Sequence, residues 1–169
     1  MRIGLLADTH DRLPAVAALV ARMAERSVEL VLHAGDWCAP FALRPVHELA
    51  LPVVGVFGRS DGDREGLRVA AATGLATELF ESPHSLEIGG ERLLLVHDLN
   101  ESVERSVASH AFVVHGCTHR AEQLERDGAL LVNPGEACGW LHGVPTAAVL
   151  DLTTRTVEFL RLTEPEWRV

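Results

Sequence analysis

RIGLLADTHD, residues 2–11, sets the terms on which the rest of the chain reads. Its apolar part, RIGLLA (2–7), is too short for a helix and runs directly into Asp8, Thr9 and His10. A short apolar run bounded by polar residues reads as a buried strand. The polar triplet then falls at the strand's carboxyl end. In open α/β sheets, ligands gather at that end. The question for the remaining sequence is whether other strands end the same way.

The first half alternates. Residues 13–26 carry apolar residues at helical spacing, with Pro14 in the first turn. VELVLHAGD (28–36) reads as a second strand, and PFALRPVHELA (40–50) as a short helix interrupted by Pro45. LPVVGVFG (51–58) is a third strand, and REGLRVAAATG (64–74) a helix stopped by Gly74. Such alternation implies parallel strands with right-handed crossovers. The second half differs. HSLEIGGERLLLVHD (84–98) reads as a hairpin turning at Gly89-Gly90. ESVERSVASH (101–110) is a short helix. AFVVHG, AEQLERDGALLVNPG and TAAVLDLTTRTVEFLRL supply further strands, with turns at Asp127-Gly128 and near residues 153–155. The expectation is an α/β protein with a mixed sheet system and helices outside. It forms one domain over residues 1–169, whose tail from about 163 to 169 is loosely held.

Five of the apolar runs end in charged or metal-binding residues. RIGLLA meets Asp8 and His10; VLHAG meets Asp36; VVGVFG meets Arg59, Ser60 and Asp61; LLLV meets His97 and Asp98; FVVHG meets Cys117 and His119. Each ending has a bland explanation, such as a helix cap or a hydrogen-bonded core histidine. Together they converge at one edge if the strands are parallel. Clustered carboxylates and imidazoles suit divalent ions, and a cation removes the repulsion between the carboxylates.

Composition narrows the classes. At 169 residues and 47% hydrophobic content the chain can bury a core without staples. The net charge of −9 argues against general nucleic-acid binding. It leaves a phosphate substrate open, because a metal supplies local positive charge. The 15 basic residues are all arginine, so lysine chemistry is excluded. Three widely spaced cysteines make a poor disulfide framework. Without a signal-like or membrane-length apolar segment, a cytoplasmic location and no membrane partner are expected.

The ordered set Asp8-Thr9-His10, Gly35-Asp36, Gly58-Arg59-Ser60-Asp61, His97-Asp98 and Gly116-Cys117-Thr118-His119, followed by Asn133-Pro134-Gly135-Glu136, resembles the calcineurin-like metallophosphoesterase superfamily, most closely its small bacterial and archaeal phosphodiesterase branch. The resemblance spans nearly the whole chain. It implies a four-layer αββα sandwich of two mixed β-sheets flanked by helices, and metal-dependent hydrolysis of a small phosphoester. By that resemblance Asp8, His10, Asp36 and His119 hold one divalent ion, manganese or zinc, with His97 and Cys117 at a second, altered position. Arg59 stands there where the family has asparagine. A guanidinium has no lone pair for a metal. It either replaces the second ion as a clamp on phosphate, the reading favoured here, or pairs with Asp36 or Asp61 in a decayed site. Arg59 and His97 are the expected holders of developing charge, and Asp61 either orients Arg59 or caps the following helix. Ser60 is a poor general acid, which favours aryl leaving groups. The alternative to an enzyme is a scaffold or binding protein on the same fold; a homo-oligomer is compatible with either.

Overall fold

The computed structural model of the protein describes residues 1–73, 76–163 and 167. The first sheet contains β1 (Arg2–Leu6), β2 (Leu30–His33), β3 (Val53–Val56), β4 (Thr77–Phe80), β10 (Thr146–Asp151) and β11 (Thr156–Arg161), in the order β11-β10-β1-β2-β3-β4. The run β1-β2-β3-β4 is parallel, and β10 and β11 add on antiparallel. The second sheet contains β5 (His84–Ile88), β6 (Glu91–Val96), β7 (Phe112–His115), β8 (Ala121–Arg126) and β9 (Ala129–Pro134), in the order β5-β6-β7-β9-β8. Here β6, β7 and β9 are parallel, and the hairpin partners β5 and β8 form antiparallel edges.

Side-chain alternation explains why the two sheets stack. Successive residues of a strand point to opposite faces. Leu93 and Leu95 of β6, Phe112 and Val114 of β7, and Leu130 and Val132 of β9 face inward, and meet Ile3, Leu5 and Leu32 from the first sheet. The residues between them, Leu94, Val96, Val113 and Leu131, face outward and pack under Val107 of α4 (Glu104–Ala108). On the other side, α1 (Leu13–Ala24) and α3 (Arg64–Ala72) cover the first sheet through Leu19, Met23 and Leu67. Strands buried on both faces read as nearly continuous apolar runs, as β2 and β7 do. The result is the four-layer sandwich that the resemblance implies.

Three local readings need correction. Pro45 does not interrupt a helix. It lies in the first turn of α2 (Arg44–His47), where its missing N–H costs nothing, after a 3₁₀ turn at Pro40–Leu43. β4 was not anticipated, because the half-exposed TELF segment at the sheet edge has no strong apolar pattern. Within the tail expected to be loose, Trp167 is buried against the first-sheet core. Residues 164–166 and 168–169 lie outside the described residues, as does Gly74, the expected stop of α3.

Candidate metal centre

The carboxyl ends of β1, β2 and β3 and those of β6 and β7 open onto one rim. The loops that follow are stitched across it by main-chain hydrogen bonds. Asp8 donates its N–H to the Gly35 carbonyl (3.0 Å), His10 to that of Asp36 (3.1 Å), Gly116 to that of His97 (3.0 Å), and Cys138 to that of Asp8 (3.1 Å). Among the described residues, Asp8, His10, Asp36, Cys117 and His119 all have positive φ. For side chains with a Cβ this conformation costs energy, and it persists where tertiary contacts impose it.

Among the described residues, two groups of donors share Asp8: Asp8, His10 and His119 form one, and Asp8, Asp36 and His97 the other. A further group, His119, Glu136 and Cys138, adjoins the first through His119, and in each the ligand atoms lie within 4.8 Å of one another. Asp36 links the two groups that share Asp8: its Oδ2 lies 3.4 Å from His10 Nε2 and its Oδ1 3.4 Å from His97 Nε2. His119 Nε2 lies 3.7 Å from Asp8 Oδ1.

The far side of two of these rings fixes the tautomer. His97 donates its Nδ1 hydrogen to the Ala34 carbonyl at 2.8 Å. His119 donates from Nδ1 to Glu136 Oε2 at 2.9 Å. In the neutral ring, both Nε2 atoms therefore present lone pairs to carboxylate oxygens. The third ring, His10, contacts Cys38 Sγ through Nδ1 at 3.3 Å, and its Nε2 is buried with no hydrogen-bond partner among the described residues. Lone pairs facing carboxylates repel, and a buried ring nitrogen without a partner costs free energy. A divalent cation among them resolves both, so the donor set fits one. Burial pushes the Asp8 carboxyl up to about 6, which also disfavours a bare carboxylate there.

Glu136 is the residue that supports His119 from behind. It is buried and accepts hydrogen bonds from His119 Nδ1 and from the backbone N–H groups of Leu141 and His142. Burial raises its pKa, but the Leu141, His119 and His142 hydrogen bonds together carry it below the usual carboxylate value. It is charged when it orients His119.

The remaining candidates sit differently from the expectations. Arg59 pairs with Asp98, through Nη2 and Oδ2, rather than with Asp36 or Asp61, and its side chain is 64% exposed. The Asn100 N–H and, against some burial, Arg59 lower the Asp98 pKa. Asp61 neither orients Arg59 nor caps a helix. Its two oxygens accept the N–H groups of Cys38 and Gly58 (2.7 Å each), which ties the β2 loop to the β3 loop. The cap of α3 is Asp63, which accepts from Gly66 N–H. The Cys117 side chain joins none of these donor groups. Burial raises its pKa and keeps it a thiol, while its backbone N–H caps the Asp8 carboxylate at 3.2–3.3 Å. Cys38 backs the His10 ring, with its Sγ 3.3 Å from Nδ1. Trp37 is buried and stacks on His33 at 3.4 Å, which is a packing role.

Comparison with known proteins agrees with this geometry. Residues 1–155 match the calcineurin-like phosphoesterase superfamily domain. The chain belongs to that superfamily. A phosphodiesterase of Methanocaldococcus jannaschii is 32% identical over 154 residues, covering 89% of this chain and 93% of that protein. The solved structure of an archaeal phosphodiesterase superposes with a TM-score of 0.88 at 28% identity, over 96% of this chain and 100% of that one. A zinc complex of Vps29 from Entamoeba histolytica shares the fold at a TM-score of 0.65 and 19% identity, over 96% and 98% of the two chains. Among the described residues, no helix is long and apolar enough to cross a membrane.

Proposed function

We propose that this calcineurin-like protein hydrolyses small phosphodiesters with the help of a divalent ion held by Asp8, His10, Asp36 and His119. The observation that carries the proposal is the arrangement of imidazole lone pairs turned toward Asp36 and Asp8 at 3.4–3.7 Å, with Ala34 and Glu136 fixing the rings from behind. Kinship with the archaeal phosphodiesterase supports the substrate class. Neither group that shares Asp8 contains a cysteine, and burial pushes the Cys138 thiol up to about 12, so oxygen and imidazole ligands suit manganese as well as zinc.

A divalent cation there supplies Lewis acidity, which lowers the pKa of water and draws charge from a phosphoryl oxygen. The chain's own residues bind and orient. Ser60 donates both its N–H (2.8 Å) and its hydroxyl (3.1 Å) to Asp36, so that carboxylate keeps one orientation. The same bonds engage Ser60 as a holder of Asp36 rather than as a proton donor, in keeping with a preference for leaving groups that need little protonation. Arg59 carries a positive charge in the β3 loop, next in the chain to Ser60. One of its nitrogens is held by Asp98, and its other N–H donors remain for non-bridging phosphate oxygens.

Manganese-loaded protein is expected to hydrolyse bis-para-nitrophenyl phosphate. His10→Ala removes a ligand and should lower turnover by about 100-fold or more. Arg59→Ala should cost at least about tenfold in kcat/KM. A protein that binds the ion yet turns over no diester with any divalent metal is a scaffold, and that result ends the proposal.

A further inference from the structure

The rim of the metal centre carries apolar surface for which hydrolysis alone has no use. Trp140 is 59% exposed and Leu141 is 68% exposed, although Trp37 and Trp167 are buried. Both residues wall a cavity of about 500 Å³ completed by His10, Cys38 and His119. Two of those walls are candidate metal ligands, so the cavity begins at the donor cluster itself. Its size lies within the range of small-molecule sites, and no carboxylate among the described residues lines it.

The exposed indole is also held in place. The Arg12 guanidinium lies 4.0 Å from the Trp140 ring and 4.1 Å from the Trp167 ring. Its Nη1 donates to the Cys138 carbonyl at 2.8 Å, which anchors the cation to the same loop. Trp140 Nε1 points to the His10 carbonyl at 3.5 Å. A ring clamped this way loses little freedom when a ligand stacks on it. The engagement of Ser60 with Asp36 adds a chemical reason for an aromatic ligand, because an aryl oxide leaves without a strong general acid.

We propose that this cavity is a subsite for a planar aromatic group esterified to the phosphate, stacked on Trp140 with Leu141 beside it. The assignment rests on the phosphoester reading above. It is tested by calorimetry on manganese-loaded protein with phenylphosphonate and methylphosphonate, which need no turnover. Phenylphosphonate is expected to bind about tenfold more tightly. Trp140→Ala should bring that ratio close to one, and Trp140→Phe should keep most of it. Manganese affinity, measured in the same instrument, reports that the variants keep the metal centre. Phosphonate binding with a ratio that Trp140→Ala does not change overturns the subsite alone. Failure of both phosphonates to bind overturns the phosphoester reading together with it. Sedimentation that shows a dimer dissolved by Trp140→Ala assigns the patch to a second copy of the chain and overturns the subsite.

Discussion

Asp8 shows how a single residue can oppose stability for the sake of a site. It is fully buried, its hydrogen-bond donor is the Cys117 N–H, and burial pushes its pKa up to about 6 from 3.8. The folded state then binds its proton more tightly than the unfolded state does. The resulting stability is present in full below about pH 4 and is lost as pH rises through about 6. Two units correspond to about 3 kcal/mol. In metal-free protein, Asp8→Asn should therefore raise the urea midpoint at pH 7.5, by up to about that free energy, and leave it unchanged at pH 3.5. A variant that is less stable than wild type at pH 7.5 contradicts the assignment. The same residue was legible in the sequence as a ligand candidate, because it ends an apolar run within a D-x-H triplet. Glu136 was not, because its role depends on His119, 17 positions earlier, being folded against it.

At the scale of elements, the loops after β2 and β3 act as one unit. Asp36 from the first receives two hydrogen bonds from Ser60 in the second, and Asp61 from the second receives the Cys38 N–H from the first. This interlock requires close approach at Gly58, where a Cβ would overlap the Asp36 carboxylate and backbone nitrogen. Gly58→Ala should destabilise the protein by about 2–3 kcal/mol and weaken manganese binding, because Asp36 must move to relieve the overlap. Urea unfolding and metal titration check the two effects; an unchanged midpoint rules out the interlock. Strands buried on both faces were easy to read. The edge strand β4 and the start of α2 were not, since an edge strand needs only partial apolar character and a proline serves a helix start as well as it breaks a helix interior.

Across the whole molecule, the candidate ligands join the two sheets. Asp8, His10 and Asp36 follow strands of the first sheet, whereas His97 and His119 follow strands of the second. An ion gripped by both sheets binds the folded chain alone and should stabilise it as a cross-link. At free manganese 100 times Kd the gain is about 2.7 kcal/mol, which raises Tm by roughly 5–10 °C. A chelator should reverse the shift, and His10→Ala should lose most of it. A Tm indifferent to manganese, zinc and chelator would remove the cross-link. The amino-acid sequence by itself determined most of the buried strands and the candidate ligands, because short apolar runs specify buried strands and the polar residues that end them are local signals; the four layers followed from the resemblance to the calcineurin-like pattern. Tertiary structure alone decided which atoms face which. The pairing of Arg59 with Asp98, the withdrawal of the Cys117 side chain from the donor groups, the tie made by Asp61 and the exposed Trp140 platform each arise between residues distant in the chain. Their geometry is set by where two sheets come to rest against each other, and no spacing along the chain records it.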